Sequence, residues 1–91
     1  MEMNNKDFLR LNQSLVYIRG SFSKNTHNID LLNLDKYKDV FIFDENNLDL
    51  IIRYDVLTLP TILYFKKGKL VKRLVGDFNL EDIKELGFIF K

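Results

Sequence analysis

Val40-Phe41-Ile42-Phe43 is a run of four apolar residues closed in by Asp39 and Asp44. So short a run cannot form a buried helix, which needs roughly ten residues or more, whereas about four to eight apolar residues between turn signals suit a strand covered on both faces. The run is therefore read as an interior parallel strand. Ser14–Arg19 (Ser-Leu-Val-Tyr-Ile-Arg) is a second buried strand by the same reasoning, rich in β-branched and aromatic residues. Gly20-Ser21-Phe22-Ser23-Lys24-Asn25 breaks that strand as a loop. A helix is predicted from about Thr26 to Tyr37, with Ile29, Leu32 and Leu31 on its apolar stripe. Strand, helix, strand implies a parallel pair with a right-handed crossover.

The remaining segments add to this unit. Residues 5–13 can form a short helix, with Asn5 as N-cap and Phe8, Leu9 and Leu11 apolar. After Val40–Phe43, Asp44-Glu45-Asn46-Asn47 offers caps for a helix whose buried face would be Leu48, Ile51 and Ile52. Thr61–Lys66 and Leu70–Val75 read as two strands joined by Lys67-Gly68-Lys69, where the glycine supplies a positive φ. Asn79 is the expected N-cap of a last helix, Glu81 and Asp82 suit its positive end, and Gly87 stops it. The order α-β-α-β-α-β-β-α fits a mixed sheet with helices on both faces, a three-layer α/β sandwich.

Ninety-one residues suit one domain, 1–91, without linker or repeat. Eight Phe and four Tyr supply much of its core. Fourteen Lys and Arg stand against 13 Asp and Glu, so no overall field draws the chain to nucleic acid or anionic lipid. The polar N-terminus lacks the apolar stretch of a signal peptide, and no apolar run is long enough to span a bilayer, so a cytoplasmic protein is expected. There is no cysteine, hence no disulfide, thiolate metal site or thiol nucleophile.

Asp44-Glu45-Asn46, Tyr54-Asp55-Val56, Leu59-Pro60-Thr61, Tyr64-Phe65-Lys66-Lys67-Gly68 and Val75-Gly76 follow one another as in the C-terminal half of thioredoxins. Val16-Tyr17-Ile18 resembles the strand before that family's active site, so the likeness covers about residues 14–87. It implies a thioredoxin-like fold, with the family's first strand missing or replaced by the short N-terminal helix. It also implies a cis Leu59–Pro60 bond. Taken alone, the residues equally allow a trans proline opening an edge strand.

The family's Trp-Cys-Gly-Pro-Cys motif falls on Phe22, Ser23, Lys24, Asn25 and Thr26. Both reactive positions therefore carry hydroxyls, which are neutral at pH 7 and form no disulfide, so exchange is excluded there. The buried carboxylate that serves the second cysteine maps to Tyr17, and its neighbouring lysine to about Val40. What the resemblance leaves is a groove between Phe22–Thr26, Leu59–Pro60 and Gly76. In the family an extended peptide pairs there with the main chain of the residue before the proline, here Leu59, and such pairing needs no thiol. The expectation is a redox-inactive, non-enzymatic module with no cofactor, whose partner is a protein or extended peptide rather than nucleic acid or membrane. Ser23 and Thr26 can equally serve as helix caps. An enzymatic alternative uses Ser23 at the helix N-terminus to hold glutathione or another thiol ligand, as in glutathione transferases, though their second, helical domain has no counterpart here.

Other signals carry less. Lys66, Lys67, Lys69, Lys72 and Arg73 make a basic hairpin without interleaved aromatic residues, which reads as a solvated turn. His27 lacks ligand partners for zinc, and Asp44, Glu45 and Asp49 lack the spacing of a calcium loop.

Overall fold

The computed structural model describes residues 7–20, 34–76 and 78–90. Among these residues four strands form one sheet: β1 (Gln13–Arg19), β2 (Val40–Asp44), β3 (Thr61–Lys66) and β4 (Lys69–Val75), in the order β2-β1-β3-β4. β1 runs parallel to β2, with Leu15 opposite Val40, and antiparallel to β3, with Leu15 opposite Tyr64. β3 and β4 form the expected antiparallel hairpin.

Side chains of a strand alternate between faces, and β1 uses both. Leu15 and Tyr17 join Leu34, Phe78, Ile83, Leu86 and Phe88 on one side of the sheet. Val16 and Ile18 join Phe8, Leu50, Val56, Leu63 and Phe65 on the other. All four β1 residues are fully buried, so the strand reads as an unbroken apolar run. The result is the three-layer arrangement, with the two α-helices of the described residues, α1 (Leu48–Arg53) and α2 (Leu80–Lys84), on opposite faces.

Several expectations need correction. Val40–Phe43 is not interior: among the described residues β2 is an edge strand. Its run is apolar because both of its faces meet core, Val40 and Ile42 on one side and Phe41 and Phe43 on the other. Of the helix expected over residues 5–13, residues 5 and 6 lie outside the described residues, and Asp7–Arg10 is a 3-10 turn before β1 begins at Gln13. Of the helix expected over Thr26–Tyr37, residues 26–33 lie outside the described residues, and Leu34–Lys36 is a 3-10 turn. In α1 the buried residue is Leu50, while Leu48 and Ile52 are 63% and 75% exposed. Of the expected face, Ile51 packs against the same cluster as Leu50, whereas Leu48 and Ile52 point outward.

Local chemistry explains the boundaries. Asn47 caps α1, its Oδ1 accepting from the Leu50 amide at 3.2 Å. The hairpin turns on two residues, Lys67 and Gly68, with φ of 53° and 80°. That pairing of positive φ values matches the twist of the flanking strands. A side chain on Gly68 would also press against the Leu9 carbonyl, 2.9 Å from where its Cβ would lie. Asn79 and Asp82 form a reciprocal capping box on α2, with bonds of 3.0 and 2.9 Å. Gly87, at φ 96°, then redirects the chain. Beyond it the Gln13 side chain donates to the Ile89 carbonyl at 2.8 Å and accepts from the Ile89 amide at 2.9 Å.

Candidate binding groove

Three separate loops meet at the C-terminal end of β1. That strand gives way to Gly20, which is buried against Leu59. A Cβ on Gly20 would lie 2.8 Å from the Leu59 Cβ, closer than real side chains approach, so only glycine lets the loop after β1 pass here. Leu59 precedes Pro60 through a cis peptide bond. Pro60 itself is buried, and its carbonyl accepts from the Gly76 amide at 3.0 Å. Gly76 has φ 79° and open space where a Cβ would stand, so its backbone conformation is what calls for glycine.

Thr61 fixes the other end of the proline loop. It is 1% exposed, and its Oγ1 donates to the Thr58 carbonyl. Leu57, two residues before Leu59, is 92% exposed. Arg73 of β4 donates to the Asp55 carbonyl at 3.4 Å, tying the loop's start to the sheet edge. Among the described residues no hydrogen bond engages the main chain of Leu59.

Leu59, Pro60 and Gly76 therefore stand together. Phe22, Ser23, Lys24, Asn25 and Thr26 lie outside the described residues, although Gly20 leads into them from beside Leu59. Tyr17, at the position of the family's carboxylate, is fully buried among apolar side chains, and Val40 packs partly buried against the same cluster. Neither side chain is a carboxylate or an amine. Among the described residues no group of three or more His, Asp or Glu side chains is placed to hold a metal, and no helix is long and apolar enough to cross a membrane.

Two residues of this region escaped the sequence reading. Gly20 read only as a strand breaker, although a glycine closing a buried strand also signals close backbone approach. Leu57 gave no signal, since an apolar residue in a connector usually faces inward.

A four-stranded mixed sheet of this order, with helical layers on both sides and a Pro60–Gly76 bond beside the end of β1, is the thioredoxin fold. Solved thioredoxins share it. A mutant thioredoxin from Halobacterium salinarum superposes with a TM-score of 0.72 at 20% identity, covering 89% of this chain and 77% of that one. Oxidised thioredoxin from Plasmodium falciparum gives 0.70 at 21% identity, covering 87% and 81%. Thioredoxin O2 from Arabidopsis thaliana, also oxidised, gives 0.62 at 23% identity, covering 81% and 70%. No protein-family model matches the sequence, and no curated protein matches it. The chain is thus a thioredoxin-like fold without a cysteine, and its own residues cannot carry out thiol–disulfide exchange.

Proposed function

We propose that this chain is a redox-inactive, non-enzymatic binding module of the cytoplasm that takes an extended segment of a partner protein into the groove beside Leu59. One observation carries the reading: among the described residues no hydrogen bond engages the Leu59 main chain, next to Gly20 and the buried Pro60. Backbone groups held open on a rigid loop are what strand addition needs, and this recognition is indifferent to the loss of thiols. Phe22 and Lys24 would add an apolar and a cationic contact, with Ser23, Asn25 and Thr26 completing the loop opposite Pro60 and Gly76.

The test compares wild type with the double variant Phe22→Ala/Leu59→Asp. A partner captured by the first and lost by the second, with the denaturation midpoint unchanged, supports the groove. A partner retained by the double variant overturns it. Insulin reduction should stay at background. Calorimetry with millimolar glutathione should show no heat, whereas saturable binding that Ser23→Ala abolishes would favour a thiol-ligand site instead.

A further inference from the structure

The near-neutral total of the chain conceals a separation of charge along the strands. β1 and β2 start, β3 ends and β4 starts at one end of the sheet. Other segments close on that end. The Lys67 amide donates to the Asn12 carbonyl at 2.9 Å, which brings the turn that holds Arg10 against the hairpin. The Asp39 carbonyl accepts from the Leu15 amide at 3.0 Å and so places Lys38. Lys36 lies 5.2 Å from the centre of the Tyr37 ring, and Tyr37 packs on Phe90 of the C-terminal segment.

Arg10, Lys36, Lys38, Lys66, Lys67 and Lys69 are all exposed, and among the described residues none of them is in an ion pair. The same segments contain three aspartates, Asp7, Asp35 and Asp39, so cations outnumber carboxylates six to three. The opposite end carries no such excess: Asp44, Glu45 and Asp49 are met there by Arg19 and Arg53. Two of the six cations also oppose each other. Lys66 and Lys69 are direct cross-strand partners on either side of the Lys67-Gly68 turn. Like charges placed this way destabilise a hairpin, and an anion held between them would relieve the repulsion.

A planar anionic surface fits this end better than a polynucleotide. The cations come from separate segments spread across all four strands, about 14 Å at the usual strand spacing, rather than along one line. Their aromatic neighbours Tyr37 and Phe90 are engaged with each other and with the core, whereas single-stranded nucleic acid is held through open rings. What this end does present is an aliphatic side chain. Phe88 and Phe90 turn into the core, and Ile89 between them is 61% exposed, held beside Gln13 by two hydrogen bonds. Apolar exposure among cations suits the boundary between lipid headgroups and acyl chains.

We propose that this end is a peripheral contact for an anionic bilayer: its cations meet lipid phosphates and Ile89 enters the headgroup layer. The Leu59 groove, at the other end of β1, then points to solution. The contact does not require that groove to be occupied.

Cosedimentation of the full chain with lipid vesicles tests this. Binding is expected to vesicles containing about one-third phosphatidylglycerol and not to phosphatidylcholine alone. Raising the salt from about 0.1 M to about 0.5 M should release most of the bound chain. Lys69→Glu sets unlike charges across the hairpin, so it should raise the urea midpoint while weakening vesicle binding roughly tenfold. Lys69→Glu/Asp44→Lys restores the net charge at the wrong end and should bind no better. Ile89→Ser should weaken binding by roughly threefold or more. A chain that ignores the anionic vesicles at low salt overturns the proposal. So does vesicle binding indifferent to both Lys69→Glu and Ile89→Ser, or binding to a polyuridine oligonucleotide that is tighter than to the vesicles.

Discussion

Gly20 and Leu59 are 39 positions apart, yet a single methyl group on the glycine would come within 2.8 Å of the leucine Cβ. Gly20→Ala should therefore displace the proline loop and destabilise the protein by about 1–3 kcal/mol, the usual effect of overpacking. In a Leu59→Gly background the same change should be close to neutral. Urea denaturation of the four-variant cycle checks this, and a cost that is equal in both backgrounds would contradict the contact.

The burial pattern of α1 separates neighbours in sequence. Leu50 is fully buried in the cluster around Phe8, whereas Ile52 is 75% exposed. Leu50→Ala should lower stability by about 2–5 kcal/mol, and Ile52→Ala should change it by less than about 0.5 kcal/mol. Parallel denaturant titrations of both variants would show the difference directly, and equal effects would mean the helix is rotated.

Ser14 is fully buried at the start of β1, and among the described residues its hydroxyl has no hydrogen-bond partner. An unsatisfied buried hydroxyl typically costs about 1–3 kcal/mol, part of which its removal recovers. Ser14→Ala is expected to be neutral or to stabilise by up to about 1 kcal/mol, read from the urea midpoint. A clear loss of stability would show that the hydroxyl is engaged.

Burial raises the pKa of Tyr54 above its ordinary 10.0, Arg53 opposes the shift, and Asp49 adds to it. Above that ordinary value the unfolded chain binds fewer protons at this site than the native protein, so stability falls with rising pH. The contribution is complete below pH 10 and lost as the pH passes the native pKa. Ultraviolet titration of phenolate absorbance should lose part of its late rise in Tyr54→Phe, along with part of the alkaline loss of stability.

Some of this could be read from the sequence because its cause is local. Asn79 and Asp82 sit three apart at a helix start, Gly68 lies between two strand-like runs, and Gly87 follows the last helix, so each carries its own reason. The phase of α1 could not be read this way. Six residues are under two turns, too few for apolar spacing to choose between Leu50 and the Leu48/Ile52 pair. Nor could the lateral place of β2, since an apolar run records what covers a strand's faces and says nothing of what lies beside it. Of the groove, Leu59, Pro60 and Gly76 were legible through their neighbours in sequence. Gly20 was not, because what constrains it arrives from Leu59, far along the chain.

The clasp between Gln13 and Ile89 closes a span of 76 residues with one side-chain amide, which offers the same donor and acceptor as a peptide group. Releasing it would also free Phe88 and Phe90, whose rings lie 4.9 Å apart and rest on Tyr64 and Tyr37. Fraying of the C-terminal segment therefore strips aromatic cover from the central sheet. The two ought to melt in a single cooperative transition, with no stable form in which the sheet persists bare.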